Sequence, residues 1–193
     1  LDYVIDRHYP NIKNSKNQAL DLLKTVMDLQ ITLVVNWMRV GFIHGVMNTD
    51  NMSICGETID YGPCAFMDEY NPKTVFSSID QNGRYAFSNQ PKITKWNITR
   101  LAECLITCID DDKKKAVEIA TQVIDGFESI YEKKWLNMMR DKLGLFGEDK
   151  GDQRLIMDLL DWMNNDKADY TNTFCFLMNE RFSADKKYND KAF

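Results

Sequence analysis

The polar side chains best suited to chemistry lie in one short stretch, HGVMNTDNMSICGETIDYGP, at residues 44–63. Its polar side chains include the carboxylates of Asp50 and Asp60, beside a third at Glu57, and the carboxamides of Asn48 and Asn51. Carboxylate and carboxamide oxygens are ligands that Mg²⁺ takes in proteins, and a carboxylate can also accept a proton from a reacting hydroxyl. The composition therefore suits a metal site with a general base, or a polar loop built from Asx turns, and leaves both open.

The spacing within this stretch predicts a short hairpin over residues 52–60. With Cys55 and Gly56 as a two-residue turn, Asn51 falls directly opposite Asp60. Directly opposed side chains on antiparallel strands share a face, with Cβ atoms about 4.5–5.5 Å apart. Asn51 and Asp60 are therefore expected to hold one metal ion together. Cys-Gly is not among the preferred hairpin turns, so a slipped register stays open.

The residues around this pair are expected to have separate roles. Asp50 precedes Asn51 and should point towards whatever lies beside the metal, where it could act as a general base. His44 has two interpretations, which are acid–base chemistry and bracing of the loop through hydrogen bonds of its ring. Asn48 and Thr49 are expected to form a turn rather than to react.

Helices are expected to position this loop. The recurrence of apolar residues predicts a helix over residues 15–40, opened by a capping box from Ser15 to Gln18 and ended by Gly41. Turn-forming pairs predict a long ordered connection over residues 61–95. Further helices are predicted from 96 to about 109, from 110–112 to 144, from about 152 to 163 and from 170 to 178, with a charged, frayed tail over 184–193.

The bulk composition narrows the range of functions. The 193 residues carry a net charge of −5, which argues against a nucleic-acid or anionic-membrane surface. No apolar run approaches the ~20 residues of a membrane span. Five cysteines without a CxxC pair, and only two histidines, give little support to a zinc site and indicate reduced, buried thiols. The expected location is the cytoplasm, or the mitochondrion if the source is eukaryotic.

Two long motifs carry a resemblance to a known family. GFIHGVMNTDNMSICGETIDYGPCAFMD (41–68) and SSIDQNGRYAFSNQPKITKWNITRLAE (77–103) resemble the signature of the selenoprotein O family, the protein-kinase-like protein adenylyltransferases. The segment DYTNTF (169–174) resembles a further element of that family. In weaker form the likeness extends over most of the chain, from DYVIDRHYP at the start to about Met178.

The resemblance implies a fold and a reaction. The fold would be mainly α, a protein-kinase-like C-terminal lobe forming a single domain over 1–193, with a small β-hairpin at the catalytic loop and DYG (60–62) where kinases have DFG. Family members transfer AMP from ATP to Ser, Thr or Tyr hydroxyls of proteins. By position, Asp50 resembles the catalytic base, Asn51 and Asp60 resemble the ligands of Mg²⁺ or Mn²⁺, and Asp60 would also approach ATP. The implied partners are ATP and protein substrates, without nucleic acid or membrane.

The same resemblance implies that part of the active site lies outside this sequence. The nine glycines form no GxGxxG or P-loop pattern, and no lysine sits in a VAIK-like strand. Family members carry these parts in an N-terminal lobe. We therefore expect a fragment that is inactive or nearly so alone, and a chain beginning at Leu1 without Met agrees with that. Arg84 is expected to form a structural salt bridge, with a phosphate contact as the alternative.

Two other functions fit the same residues. Phosphoryl transfer instead of AMP transfer would use the same loop, because the missing lobe sets the orientation of the nucleotide. A non-catalytic interaction module would use the amphipathic helices of residues 96–178 as a binding scaffold.

Overall fold

The computed structural model describes residues 1–178, which are mainly helical. Two short strands form the one regular sheet found in this part of the chain. In chain order the elements are α1 (Asp2–His8), α2 (Gln18–Val40), β1 (Phe42–Ile43), β2 (Ala65–Phe66), α3 (Gln90–Ile109), α4 (Lys113–Asp125), α5 (Phe127–Leu143), α6 (Asp152–Asn165) and α7 (Tyr170–Met178). Short 3₁₀ turns occupy Pro10–Ile12, Thr49–Asn51 and Phe87–Asn89.

Helix α2 is the central element, packed mainly against α3 and α5. Its apolar residues recur at helical spacing and are fully buried, among them Leu23, Ile31 and Val34. The predicted end at Gly41 is confirmed, because this residue adopts the left-handed conformation with φ of 72°. The predicted capping box is wrong. The side chain of Asn17 caps the helix instead, accepting a hydrogen bond from Leu20 N at 3.0 Å.

Helix α3 begins earlier than its sequence pattern predicts. The connection expected over residues 61–95 ends at the 3₁₀ turn Phe87–Asn89, and Gln90 already belongs to the helix. Pro91 lies in the first turn, where the missing N–H of proline costs no hydrogen bond. The Gln-Pro pair that looks like a turn signal is therefore a helix start.

The helix predicted from residues 110–112 to Gly144 is in fact two helices. Asp112 caps α4 as expected, accepting from Lys114 N at 2.9 Å. The chain then breaks at Gly126 and starts again as α5, which Gly144 closes with a φ of 67°. Glycine has the lowest helix propensity of any residue except proline. Here it separates two helices whose apolar residues look like one continuous stripe in the sequence.

The start of α7 closes the fold around the end of α2. Tyr170 N donates to Asp68 O at 2.7 Å, and Tyr70 N donates to Ala168 O at 2.8 Å, so this segment is tied to the chain that follows β2. The ring of Tyr170 is buried, stacks with Tyr70 at 5.8 Å, and its hydroxyl donates to Met38 O at 2.7 Å. Gly41 lies under this ring, because a Cβ there would be 2.9 Å from Cδ1 of Tyr170.

None of the helices within residues 1–178 is both long and apolar enough to cross a membrane. The frayed tail predicted over 184–193 lies outside the described residues.

We expect the buried phenol of Tyr70 to make the fold sensitive to alkali. Burial, with the nearby negative charge of Asp161 as a smaller cause, raises the pKa of Tyr70 to about 12. The phenol ionises near pH 10 in the unfolded chain but not in the folded one. The contribution of Tyr70 to the free energy of unfolding is therefore complete below pH 10 and is lost as pH rises towards 12. Tyr70→Phe should therefore lose less stability between pH 9 and 11 than the parent chain, by about 1.4 kcal/mol per pH unit at most.

Urea unfolding followed by circular dichroism at each pH checks this expectation. Tyr3→Phe changes a phenol that is 74% exposed and serves as the matched control. An identical pH dependence in the parent chain and Tyr70→Phe would contradict it.

Candidate active site

The stretch of polar residues forms the connection between β1 and β2. The two strands pair antiparallel, with Phe42 opposite Phe66 and Ile43 opposite Ala65. Everything between them, residues 44–64, is one irregular loop that contains the 3₁₀ turn Thr49–Asn51. We call it the site loop. Because an irregular segment cannot pair its own backbone groups, neighbouring elements must supply the hydrogen-bond partners.

His44 braces the base of the site loop. Its side chain is fully buried, and Nε2 lies 2.8 Å from Ile59 O. A carbonyl oxygen can only accept, so Nε2 carries the proton, and Nδ1 is left to accept from Val46 N at 3.4 Å. Both ring nitrogens are therefore engaged within the loop, which favours the bracing interpretation over acid–base chemistry.

Two buried carboxamides of α3 hold the beginning of the site loop. Gln90 accepts a hydrogen bond from His44 N at 3.0 Å and donates one to Phe42 O at 3.0 Å. Asn97 donates to Met47 O at 3.0 Å. Each pairs a backbone group that would otherwise be buried without a partner.

The other side of the site loop is held by α2 and by the residue after α1. Gln30 donates to Ser53 O, and Tyr9 donates its hydroxyl hydrogen to Ile54 O. Trp37 Nε1 donates to the hydroxyl of Thr58 at 2.9 Å. Tyr85 donates to Oδ1 of Asn48 at 2.6 Å. Asn48 also begins a turn, as expected, because Asn51 N donates to Asn48 O at 3.0 Å.

The predicted hairpin register is wrong by one residue. A single antiparallel bridge joins Met52 to Thr58, with a wider turn in which Gly56 N donates to Ser53 O at 3.1 Å. Asn51 belongs to the 3₁₀ turn and has no ladder partner. The tip is shaped by contact with α2: Gly56 has a φ of 73°, and a Cβ there would be 2.8 Å from Cβ of Leu29.

Asn51 and Asp60 are nevertheless held at the same short segment. Asn51 Nδ2 donates to Val46 O at 3.0 Å, and Asp60 follows Ile59, whose carbonyl is bound by His44. The carboxamide oxygen of Asn51 is thus left to face away from Val46. Asp60 is exposed and adopts a left-handed conformation with φ of 54°, which Asp and Asn tolerate better than other side chains.

The carboxylates of the site loop have no protein partner. Within residues 1–178, Asp50 and Asp60 form no side-chain hydrogen bond or ion pair. Both are exposed, and Asp50 lies directly before Asn51 in the 3₁₀ turn. A carboxylate left open in this way can receive a cation or a proton without first breaking a contact.

The carboxamide oxygen of Asn51 and the carboxylate of Asp60 are of the kind that a hard cation binds, with its other positions filled by water or a substrate. Among residues 1–178 no group of three or more His, Cys, Asp or Glu side chains could hold a metal. A closed structural zinc site is therefore not present in this part of the chain. One carboxylate and one carboxamide suit Mg²⁺, which usually takes one or two protein ligands and completes its shell with water and phosphate oxygens.

Arg84 does not form the predicted salt bridge with any residue in the described part of the chain. Its guanidinium group lies over the ring of Trp96, 4.9 Å from the centroid, and 5.7 Å from that of Tyr85. The cation is held by aromatic faces rather than by a carboxylate.

Sequence reasoning missed the residues that fasten the site loop. Gln30, Gln90 and Asn97 are polar residues on the buried faces of α2 and α3, where an apolar side chain would be expected. Their position within an otherwise apolar stripe is the signal that could have identified them.

The chain is similar over its whole length to proteins named nucleotidyltransferases. Protein nucleotidyltransferase YdiU of Pelagibacter ubique is 66% identical over 193 residues, which cover all of this chain and 40% of that protein. The protein of the same name from Nitrosococcus oceani is 54% identical over 192 residues, covering 39% of its length. The chain thus spans about two fifths of the length of these relatives.

The particular family follows from a family model. The model described as Protein adenylyltransferase SelO matches residues 1–193, so the chain belongs to the SelO family. The resemblance based on the two long motifs is thereby confirmed.

We expect Gln90→Leu to destabilise the fold at the base of the site loop. The change leaves His44 N–H and Phe42 C=O buried without their partners, at about 1–3 kcal/mol for each group. The free energy of unfolding should fall by about 2–6 kcal/mol in urea titrations, and amide exchange of residues 42–48 should accelerate.

Gln153→Leu, at an exposed position of α6, is the control for the loss of a carboxamide. Equal stability of the two variants would refute the fastening role of Gln90.

Proposed function

We propose that this chain carries the catalytic loop of a protein adenylyltransferase, which transfers AMP from ATP to Ser, Thr or Tyr hydroxyls of proteins. The observation that carries the proposal is the arrangement of Asp50, Asn51 and Asp60. Asn51 donates to Val46 O and Asp60 follows Ile59, whose carbonyl is bound by His44, so both residues lie near the start of the site loop, and the exposed carboxylate of Asp50 precedes Asn51. The family description and the names of the relatives agree with it.

In this proposal each residue has one role. Asp50 accepts the proton of the incoming hydroxyl, whose oxygen then bonds to the α-phosphorus of ATP while the bond to the bridging oxygen of pyrophosphate breaks. Asn51 and Asp60 would hold Mg²⁺ or Mn²⁺, which would neutralise charge on the phosphates when bound. His44 keeps Asp60 in place through Ile59 O and takes no proton.

We further propose that the fold is a kinase-like C-terminal lobe and that the triphosphate is held by other parts of the longer protein. The sequence has no glycine-rich phosphate loop pattern, and the relatives are about two and a half times as long as this chain. On this proposal the chain alone transfers AMP slowly or not at all.

The type of transfer is tested with two isotopic labels. A chain extended to the length of its relatives is incubated with a protein acceptor and ATP labelled at the α- or at the γ-phosphate. We expect label on protein only from the α position. Label arriving only from the γ position would assign phosphoryl transfer, and no label from either position would favour a non-catalytic scaffold.

The roles of the two carboxylates are separable by substitution to asparagine. Asp60→Asn keeps the side-chain shape and tolerates the left-handed backbone. The substitution therefore removes only the negative charge from the proposed metal site. We expect weaker Mg²⁺–ATP binding in calorimetry. Asp50→Asn should leave that binding intact and slow AMP transfer by about 10²–10⁴-fold.

Glu57→Gln neutralises another exposed carboxylate of the site loop and should change neither quantity. Full transfer by Asp50→Asn would remove this residue from the mechanism.

A further inference from the structure

A cavity lies beside the site loop, and neither Asp50, Asn51 nor Asp60 lines it. The cavity has a volume of about 270 Å³, is lined by residues of α2, α3 and the loop, and is open to solvent on one side. Thr49 and Met52 line it, whereas Asp50 and Asn51, which lie between them in the chain, do not. We call it the rear cavity. Its size is at the small end of the range of ligand pockets.

Two buried carboxamides line the rear cavity with their oxygens unpaired. Gln30 is 2% exposed and Asn97 is 6% exposed. The NH₂ groups of both donate to loop carbonyls, Ser53 O and Met47 O, which can only accept. This fixes the orientation of each amide, so Gln30 Oε1 and Asn97 Oδ1 are the free atoms. Neither accepts a hydrogen bond from any residue between 1 and 178.

The other residues that line the cavity indicate which kind of ligand would pair with these two oxygens. Most of it is apolar, contributed by Val26, Met52, Ile54, Ile98 and Leu101, and it contains no carboxylate. Arg100 also lines the cavity with a buried, unpaired Nε–H, while its charge is met by Glu103 at 2.8 Å and the Trp96 ring at 5.1 Å. Besides the side chains of Thr49, Ser53 and Cys104, the cavity lining therefore contains two acceptors and one donor that lack a partner, on a largely apolar wall with no unbalanced charge.

We propose that the rear cavity binds a small neutral ligand of the primary carboxamide class, a single ring or compact apolar body that carries a C(=O)–NH₂ group. Its N–H groups pair with the oxygens of Gln30 and Asn97, its carbonyl pairs with Arg100 Nε, and its body covers the apolar wall. A buried acceptor without a partner costs free energy, and a ligand with these groups removes that cost.

Occupancy of the rear cavity bears on the catalytic residues through two hydrogen bonds. The same two carboxamides hold Met47 O and Ser53 O, which lie on either side of Asp50 and Asn51 in the chain. A ligand that orders Gln30 and Asn97 thus orders the carbonyls that anchor both ends of this segment. Binding itself does not depend on the reaction proposed above.

The test uses the cysteines of α3 as reporters and benzamide as the probe. The expectation of buried thiols is wrong for Cys104 and Cys108, which are both exposed. They lie one turn apart, but only Cys104 lines the rear cavity. We expect millimolar benzamide to slow N-ethylmaleimide labelling of Cys104 severalfold and to leave Cys108 unchanged. Methyl benzoate keeps the ring and the carbonyl but has no N–H, and should protect Cys104 far less.

Two further measurements distinguish a loss of benzamide binding from a loss of the folded structure. The side-chain NH₂ signals of Gln30 and Asn97 should shift on titration with benzamide in NMR spectra. Leu101→Phe, which fills part of the cavity, should abolish protection of Cys104 without a change in circular dichroism. Val117→Phe adds the same ring at an exposed position of α4 and should keep the protection.

Three outcomes would overturn the proposal. Equal protection by benzamide and methyl benzoate would show an apolar cavity without carboxamide recognition. No protection and no NMR shift would show that the unpaired oxygens bind water only. Loss of benzamide binding in a chain extended to the length of its relatives would assign the cavity to a segment of the same polypeptide. None of these readouts uses AMP transfer, so failure here and failure of the proposed reaction are distinguishable.

Discussion

The constraint that governs this structure is the pairing of buried backbone groups in a loop without regular secondary structure. Residues 44–64 pass between α2 and α3 and cannot form helical or sheet ladders over most of their length. Side-chain amides from both helices meet this need, with Gln90 and Asn97 on one side and Gln30 on the other. Because an unpaired buried group is costly, these contacts stabilise this conformation of the loop.

The hydrogen bonds that hold the site loop leave its carboxylate side chains free. The hydrogen bonds that hold it involve backbone carbonyls and the buried ring of His44, not the carboxylates of Asp50 and Asp60. The side chains suited to chemistry are therefore placed without being engaged. On the function proposed above, the backbone that carries these groups would need little rearrangement when a cation or substrate binds.

The sequence was informative where one residue decides the local structure. Gly41 marks the end of α2 because only a left-handed residue fits there, and Asp112 marks a cap. It misled where a signal has two meanings: Pro91 opens α3 instead of closing a loop, and Gly126 splits one apolar stripe into two helices. The loop register depends on the contact of Gly56 with Leu29, a tertiary contact that no local pattern contains.

The hydroxyl of Tyr170 has a consequence for the order in which the molecule is completed. Its bond to Met38 O joins residues 132 positions apart, at the helix end from which the site loop departs. At the usual rate of synthesis of about 5–20 residues per second, Met38 is made on the order of ten seconds before Tyr170. During that interval the end of α2 lacks one of its ties and the aromatic ring that covers Gly41. A nascent chain therefore carries the loop residues well before it carries their final support.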